Sequence, residues 1–378
     1  MGGHPSSQCW RTESITGMQN SLTHRLCILP KVKGIGGMVS FRHKLVEGMT
    51  RRGIDVCYEL SDLPYEGILV IGGTRQLKGL WRARKMGVPI VQRLDGMNWL
   101  HRVRRRNGKR HIDLRHYLRA EYGNFILKFI RNRLADKIVY QSEFARNWWE
   151  RVHGPIPVPD TVIYNGVDLN AYSPIEPSLR PLDRYRLLLV EGSFKGGYEQ
   201  GLDVAVQLVE KLLVSHSRDL GMGIELMVVG SVPQDVQSQC EEYIYRITDN
   251  ESVSITWVGL VPGEKISKID NSAHLLYSAD VNAACPNSVI EALACGTPVL
   301  SFETGALPEL VKGDAGRIVP YGGDSWKLDP PDVNTLACAA VEILTEQERF
   351  RIAARERAES AFNVTQMVDS YLEVLLEQ

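Results

Sequence analysis

Residues 285–299, CPNSVIEALACGTPV, combine residue types and a spacing that suit the binding of a phosphorylated ligand. Ser288 is a favourable N-cap for a helix that ends at Gly296, and Glu291 stands three residues after it, as in a capping box. The first backbone amides of such a helix have no partner and favour an anion. Glu291 can accept two hydrogen bonds from the hydroxyls of a ribose, and the capping box is its alternative role.

Two further segments repeat this pattern. In GIGG, Gly34–Gly37, glycines let backbone amides approach a phosphate, and a helical pattern follows directly. The loop is not a dinucleotide fingerprint, because the third glycine position is Val39, and a tight turn explains it equally well. In GALPELV, Pro308 favours a helix start with Glu309 in its first turn.

The elements that must position these segments alternate between short apolar runs and helical patterns, which predicts parallel strands with helical crossovers. One series runs from residue 26 to about 141, and a second from about 187 to 321. Between them, HGPIPVPD at 153–160 holds three prolines and predicts a rigid linker. Two helical segments are predicted from about residue 346. The sequence therefore predicts two α/β domains.

The composition excludes several classes of protein. The 378 residues are 44% apolar and 24% charged, which is usual for a globular chain and unlike a disordered or collagen-like one. No apolar run approaches the ~18 residues of a membrane-spanning helix. The seven cysteines form no CxxC pair and have no zinc spacing, which is typical of reduced thiols in a cytosolic protein. Residues 1–24 are polar and lack the apolar core of a signal peptide, so we expect a disordered tail.

The net charge of −1 conceals an asymmetry between the two halves of the chain. Residues 1–170 have a net charge of +14, and residues 171–378 have one of −15. Eight Lys and Arg residues lie between Arg102 and Arg119. They overlap the start of an apolar helix face made of Leu114, Leu118, Tyr122, Phe125 and Phe129. A basic half suits phosphates, nucleic acid or anionic lipid, and a loop with solvated charges is the alternative.

Four segments resemble, in order and spacing, the retaining glycosyltransferases of family 4, the glycosyl transferases group 1. They are ADKIVYQSEFAR (135–146), VIYNGVDLNAYSP (162–174), CPNSVIEALACGTPV (285–299) and GALPELV (305–311). The resemblance implies an α/β GT-B fold, with two Rossmann-like domains facing each other across a cleft. The implied parts are an acceptor-binding domain at 25–168, a nucleotide-sugar-binding domain at 169–360, and a helix at 361–378 that packs back toward the first domain.

The resemblance implies that a sugar moves, with retention of configuration, from a nucleotide-sugar donor to a glycan or lipid-linked acceptor. The catalytic residues are then expected to be Asp95, Lys195 and Glu291. The donor is expected to contact Gly36, Gly37, Gly192, Ser193, Lys195, Pro286, Asn287, Ser288, Val289 and Glu291. No cofactor and no metal are expected, because the sequence has no DxD motif.

Ala283 departs from the family pattern, in which a first glutamate stands at this place and holds a sugar hydroxyl. Sugar recognition must therefore differ here, with Asn282 or Asn287 as candidate substitutes. The loss favours an alternative function, a non-catalytic nucleotide-sugar-binding homologue or partner subunit. A dinucleotide-dependent oxidoreductase is a third hypothesis; it needs Glu59 as its ribose-binding acid and leaves the second domain unexplained.

Two other sites depart from the pattern. Ser193 and Gln200 stand at the positions of the family's diphosphate-binding Arg and Lys, which leaves Lys195 as the only cation there. Helix N-termini and Lys195 would then stabilise the diphosphate as charge develops on it. Asp95 replaces a frequent His, and either binds a hydroxyl or precedes a turn at Gly96.

The basic run suggests where the protein works. In this family, members that act on lipid acceptors often carry a basic, amphipathic first domain, and Trp99, Arg104–Arg106, Lys109 and Arg110 fit such a surface. We therefore expect a cytoplasmic protein in peripheral contact with the inner, anionic face of a membrane. A soluble, phosphate-bearing acceptor is the alternative, and nucleic acid is not expected because no recognition module accompanies the charges.

Overall fold

The structure is a computed structural model that describes residues 24–31, 34, 36–106, 114–194, 199–247 and 252–377. These residues form two α/β domains, each built on a six-stranded parallel sheet. The first sheet contains β1 (Arg25–Leu29), β2 (Asp55–Cys57), β3 (Gly67–Ile71), β4 (Ile90–Leu94), β5 (Lys137–Tyr140) and β6 (Asp160–Val162). The second contains β7 (Arg184–Ser193), β8 (Gly223–Ser231), β9 (Val253–Gly259), β10 (Leu275–Tyr277), β11 (Val299–Phe302) and β12 (Gly316–Val319). The predicted α/β class is confirmed.

Helices cover both faces of each sheet. The first domain contributes α1 (Gly37–Arg51), α2 (Leu77–Lys85), α3 (Leu100–Arg106), α4 (Leu114–Arg133) and α5 (Glu143–His153). The second contributes α6 (Glu199–Leu220), α7 (Gln234–Ile247), α8 (Gly263–Asn271), α9 (Asn287–Ala294), α10 (Leu307–Leu310), α11 (Val333–Thr345) and α12 (Gln347–Ala361). The last helix is α13 (Val364–Leu376).

The strands are apolar along their whole length because both faces of each sheet are buried. In β1, Leu26 and Ile28 pack in one cluster with residues of α1 and α13. Cys27 and Leu29, which point the opposite way, pack in a second cluster with residues of α2 and α4. The period of two along the strand thus builds two cores from one segment.

Strand order places a ligand site in each sheet. The orders are β2-β1-β3-β4-β5-β6 and β12-β11-β10-β7-β8-β9. In each sheet the chain first adds strands on one side of the opening strand and then crosses to its other side, at β1/β3 and at β7/β10. Ligands of open α/β sheets bind at the carboxyl ends of the strands at such points.

The segment predicted to be a rigid linker between the two series, 153–160, lies within the first domain. His153 ends α5, and Asp160 begins β6, which pairs with β5 through Ile138–Asp160 and Tyr140–Val162. Prolines precede this strand, and β6 lies at the edge of the sheet, where a missing amide donor is tolerated. The linker prediction was wrong, because proline content does not exclude a further edge strand after the segment.

Helix α13 returns to the first domain. Met367, Val368, Tyr371 and Leu375 are buried in the same cluster as β1 and α1. Where α13 begins, residue Val167 pairs with Asn363, and the amide of Val167 donates to the carbonyl of Phe362 at 2.8 Å. The chain therefore crosses between the domains twice, at neighbouring points. Within the described ranges, no helix has the length and apolar character needed to cross a membrane.

Candidate active site in the interdomain cleft

A cleft of about 430 Å³ lies between the carboxyl ends of the two sheets. Its walls from the first domain include Gly37, Arg93, Asp95, Met97, Asn98, Trp99, Trp148 and Asn165. The walls from the second domain are residues 280–288, which connect β10 to α9. The structure thus brings together five of the predicted site residues: Gly37, Asp95, Pro286, Asn287 and Ser288.

Two helix N-termini face each other in this cleft. Helix α1 begins at Gly37 and α9 begins at Asn287, and a Cβ added to Gly37 would lie 3.7 Å from Asn287 Nδ2. Gly36, the N-cap of α1, has a φ of 137°, a conformation that side chains disfavour. No side chain of the described residues caps either helix. Their first amides therefore point at one volume, which favours an anion there.

The predicted capping box at Ser288 is wrong. Helix α9 starts two residues earlier than predicted, so Pro286 is the N-cap, and Ser288 lies inside the first turn. Proline has no side-chain acceptor, whereas Ser288 is placed to line the cleft. The side chain of Val289 is fully buried in the core, so only its backbone is available to a ligand.

Glu291 binds a partner in the other domain. Its Oε1 lies 3.1 Å from Nζ of Lys44 on α1, and Lys44 also donates to the carbonyl of Gly166 at 3.1 Å. The two side chains are 14% and 19% exposed. This ion pair holds α1 against α9, and it gives Glu291 a role other than the predicted capping box.

Arg93 is a buried cation in the cleft wall that the sequence analysis did not single out. Its Nη2 donates to Asn165 Oδ1 at 2.7 Å, and Asn165 Nδ2 donates to Asn287 Oδ1 at 2.9 Å. Its guanidinium group lies 3.6 Å from the ring centroid of Phe41. This chain of contacts fixes the orientation of the Asn287 side chain beside the N-terminus of α9.

Buried carboxyl groups lie in and beside the cleft, and their pKa values are raised. Burial raises the pKa of Asp95, although the charge of Arg93 opposes the shift. Burial also raises the pKa of Asp280 to about 6. At the end of β7, the pKa of Glu191 is raised well above its usual value by burial and then by the charge of Asp280. Burial therefore disfavours the charged form of all three acids.

The remaining predicted donor contacts lie around the end of β7. Gly192 and Ser193 are exposed there. Gln200 and Glu191 line a small adjoining cavity of about 40 Å³. Lys195 lies outside the described residues. The structure therefore describes Ser193 and Gln200, which stand at the positions of the family's Arg and Lys, but not Lys195.

Ala283 lies in the cleft wall with its backbone tightly held. Its carbonyl accepts a hydrogen bond from the amide of Ala306 at 2.8 Å, and a Cβ on Gly305 would lie only 2.5 Å from that oxygen. Of the two candidate substitutes for a glutamate here, Asn282 accepts from Ser325 Oγ at 3.3 Å, and its Nδ2 is buried without a hydrogen-bond partner among the described residues. Asn287 is engaged by Asn165.

The predicted helix start in the GALPELV segment is confirmed, because α10 begins at Leu307 with Pro308 and Glu309 in its first turn. The carboxylate of Glu309 accepts hydrogen bonds from the amides of Glu143 and Phe144, at 2.9 and 2.8 Å, and from the hydroxyl of Tyr164 at 2.9 Å. An acid of the second domain thus binds the N-terminus of α5 in the first, a contact that the sequence pattern did not predict.

The apolar face predicted on α4 points to solvent. Leu114, Leu118, Tyr122 and Phe125 are each between 48% and 66% exposed, whereas the opposite face buries Asn124, Ile126, Ile130 and Arg131. Lys109, Arg110 and the side chains of Arg104–Arg106 lie outside the described part of the chain.

Comparison with known proteins identifies the class of proteins that share this fold. The family model described as Glycosyl transferases group 1 matches residues 185–346, most of the second domain. Sucrose-phosphate synthase from Thermosynechococcus elongatus superimposes with a TM-score of 0.68 at 16% identity, covering 93% of this chain and 98% of that one. HepE from Anabaena, in complex with UDP-glucose, superimposes with a TM-score of 0.63 at 16% identity, covering 93% and 100%. The architecture is that of a GT-B protein.

Relatives found by sequence similarity are consistent with the same class. An uncharacterized glycosyltransferase of Methanocaldococcus jannaschii is 26% identical over 181 residues, which are 44% of this chain and 43% of the relative. The alpha-maltose-1-phosphate synthase of Mycolicibacterium smegmatis is 25% identical over 256 residues, 64% and 62% of the two chains. The chain thus matches less than two thirds of the length of these relatives. The chain thus has the GT-B fold, and its second domain is similar to the glycosyl transferases group 1, as the sequence predicted.

Proposed function

We propose that the protein is a retaining glycosyltransferase that moves a sugar from a nucleotide-sugar donor to an acceptor. The observation that carries this proposal is the convergence of the α1 and α9 N-termini on one cleft. A diphosphate is the anion that such a pair of helix ends suits best. The family match over the donor domain and the UDP-sugar bound to the HepE neighbour support the same choice.

The residues of the cleft have distinct roles in this proposal. The amides at Gly37, Asn287 and Ser288 bind the diphosphate, and Arg93 and Lys195 add positive charge as the nucleotide leaves. Glu291 binds the ribose hydroxyls, in place of or beside Lys44. In this proposal the transfer needs no metal, and the comparison of melts without and with EDTA below tests that part.

The identity of the nucleotide is the first test. We expect one of UDP, GDP, ADP and CMP to raise the melting temperature of the purified protein, because a ligand that binds only the folded state stabilises it by about 2.7 kcal/mol at 100 times its Kd. UDP is the first candidate. Thermal melts without and with EDTA should give the same shift. If none of the four nucleotides changes the melt, the donor-site assignment is wrong.

A non-catalytic nucleotide-sugar-binding protein is the second candidate. Ala283 favours it, since an alanine offers no contact to a sugar hydroxyl. Slow hydrolysis of the matching nucleotide sugar by the purified protein, above that of a Glu291→Ala variant, supports the enzyme. Binding with no hydrolysis and no transfer supports the alternative.

The exposed face of α4 suggests a lipid-linked acceptor at the cytoplasmic face of a membrane. Leu118 and Phe125 would insert into the interface, and the positive charge of the first domain would add attraction to anionic lipid. We expect the protein to co-sediment with anionic liposomes at 0.1 M salt and less so at 1 M, because the screening length falls from about 10 to about 3 Å.

The matched variants for this test are Leu118→Ser and Leu182→Ser. Leu182, in the second domain, is 92% exposed and does not belong to α4. Leu118→Ser should weaken co-sedimentation several-fold, and Leu182→Ser should not. A wild-type protein that stays in the supernatant at low salt argues for a soluble acceptor.

A further inference from the structure

A second cavity of about 360 Å³ lies beside the cleft, mainly in the first domain. Its size falls within the range of small-molecule sites. Met97, Asn98, Trp99 and Trp148 line both spaces, so the two cavities are neighbours. A ligand in the second cavity therefore lies next to whatever occupies the cleft.

Three indole rings line this cavity, and one of them comes from the other domain. Trp326, in the loop between β12 and α11, has its ring centroid 5.1 Å from that of Trp99 and 4.8 Å from that of Trp148. It also stacks on Phe144 at 6.1 Å. The amide of Trp326 donates to Asp324 Oδ1 at 2.9 Å, which holds the loop in this conformation. The cavity is thus complete only when the domains are together.

The opposite wall is positively charged. Lys128 is exposed on α4 and makes no ion pair with any carboxylate in the described part of the chain. The acid of this wall, Glu121, is already neutralised by Arg102 at 2.6 and 2.7 Å, which lowers its pKa to about 2. The pKa of His153 is lowered by burial and then by the charges of Lys128 and other nearby cations. An anion in this cavity would meet an uncompensated positive field.

We propose that this cavity binds the acceptor, and that the acceptor is a sugar bearing an anionic group such as a phosphate. The sugar ring packs against Trp99 and Trp148, since indole faces bury the apolar face of a ring while its hydroxyls stay hydrogen-bonded. The anionic group lies at Lys128 and His153. The inference rests on the proposed transferase function, and it adds the chemical class of the acceptor and a part for Trp326.

The position of the cavity suits either a free or a lipid-linked phosphosugar. Phe125, which lines it, belongs to the exposed apolar face of α4. A lipid attached through the phosphate would leave the cavity along that face. A soluble phosphosugar would use the cavity alone.

Intrinsic tryptophan fluorescence tests the proposal, because three of the seven tryptophans line the cavity. The ligands are the 6-phosphates of glucose, mannose and galactose, the three neutral hexoses, inorganic phosphate, and vesicles with and without phosphatidylinositol. We expect at least one hexose phosphate to bind about tenfold or more tightly than its neutral hexose and than inorganic phosphate, in a salt-dependent manner. Binding only to phosphatidylinositol vesicles also supports the proposal and assigns a lipid-linked source.

Matched variants locate the site. Lys128→Ala should remove the preference for the phosphate, Lys128→Arg should keep most of it, and Lys78→Ala, which removes an exposed lysine of the same domain outside the cavity, should have no effect. Trp326→Ala should weaken binding of the sugar phosphate severalfold, whereas Trp81→Ala, a change at an exposed tryptophan of α2, should not.

The proposal is overturned if no phosphosugar in either form binds better than its neutral counterpart, or if Lys78→Ala matches Lys128→Ala. The change in melting temperature that nucleotides cause in the same samples distinguishes the acceptor inference from the donor-site assignment. A shift with UDP but no phosphosugar binding refutes the acceptor inference alone. Phosphosugar binding without any nucleotide effect refutes the donor-site assignment and leaves the cavity as an anionic-sugar site.

Discussion

Replacing Glu291 with alanine is expected to weaken nucleotide binding at least about 150-fold, because the ribose loses two hydrogen bonds to a carboxylate at about 1.5–3 kcal/mol each. The same change leaves Lys44 unpaired in a site where it is 19% exposed, so the melting temperature should fall as well. Isothermal titration with the preferred nucleotide, beside a thermal melt, measures both effects.

Lys44→Ala separates the two roles of Glu291. This variant also breaks the ion pair, yet it keeps the carboxylate and frees it for the ribose. Nucleotide affinity should therefore stay within about threefold of the wild type, while the melt falls. Equal losses of affinity in Glu291→Ala and Lys44→Ala would mean that Glu291 only holds the domains together.

Glu309→Ala is expected to loosen the domain arrangement. Its carboxylate binds two amides at the start of α5 and the hydroxyl of Tyr164, all in hydrogen bonds to a charged acceptor. Because the side chain is half-buried, we expect a loss of about 2 kcal/mol rather than the sum of three full bonds. The melting temperature should fall by about 4–8 °C, and small-angle scattering should show a larger radius of gyration.

Glu303→Ala is the control for this prediction. Glu303 is an exposed acid at the end of β11, near Glu309 in sequence, and it makes no side-chain contact with the first domain among the described residues. It should leave the melt and the scattering unchanged. A Glu309→Ala protein with an unaltered radius of gyration would show that the domains are held by the apolar contacts and by α13.

The strands were predictable because both faces of each sheet are buried. Such strands are continuous apolar runs in the sequence, for example GILVI in β3. The same rule led us to assign IVQRL to a strand without considering the function of Arg93. A cation within a buried strand is unusual, and this was the available signal for a functional charge. Lys44 gave no such signal, since its partner lies 247 positions away and only the meeting of two domains brings them together.

Ser288 and Glu309 show where local capping rules stop being informative. Such rules place a polar side chain beside the amides of its own helix, and neither residue caps its helix in this way among the described residues. At α9, Pro286 starts the helix and the free amides face a cleft. At α10, Glu309 turns away from its own helix toward α5. Long-range packing selected between local choices of similar energy.

The position of α13 has a consequence for synthesis of the chain. The core of the first domain includes Met367, Val368, Tyr371 and Leu375, which are synthesised after every strand of the second domain. Everything the second domain needs for its own sheet has been made before them. The domain that begins first therefore closes its core last, and until then α1 keeps an uncovered apolar groove at Gly48, where a Cβ would lie 2.5 Å from Val368. During translation, that groove is the surface a chaperone would meet.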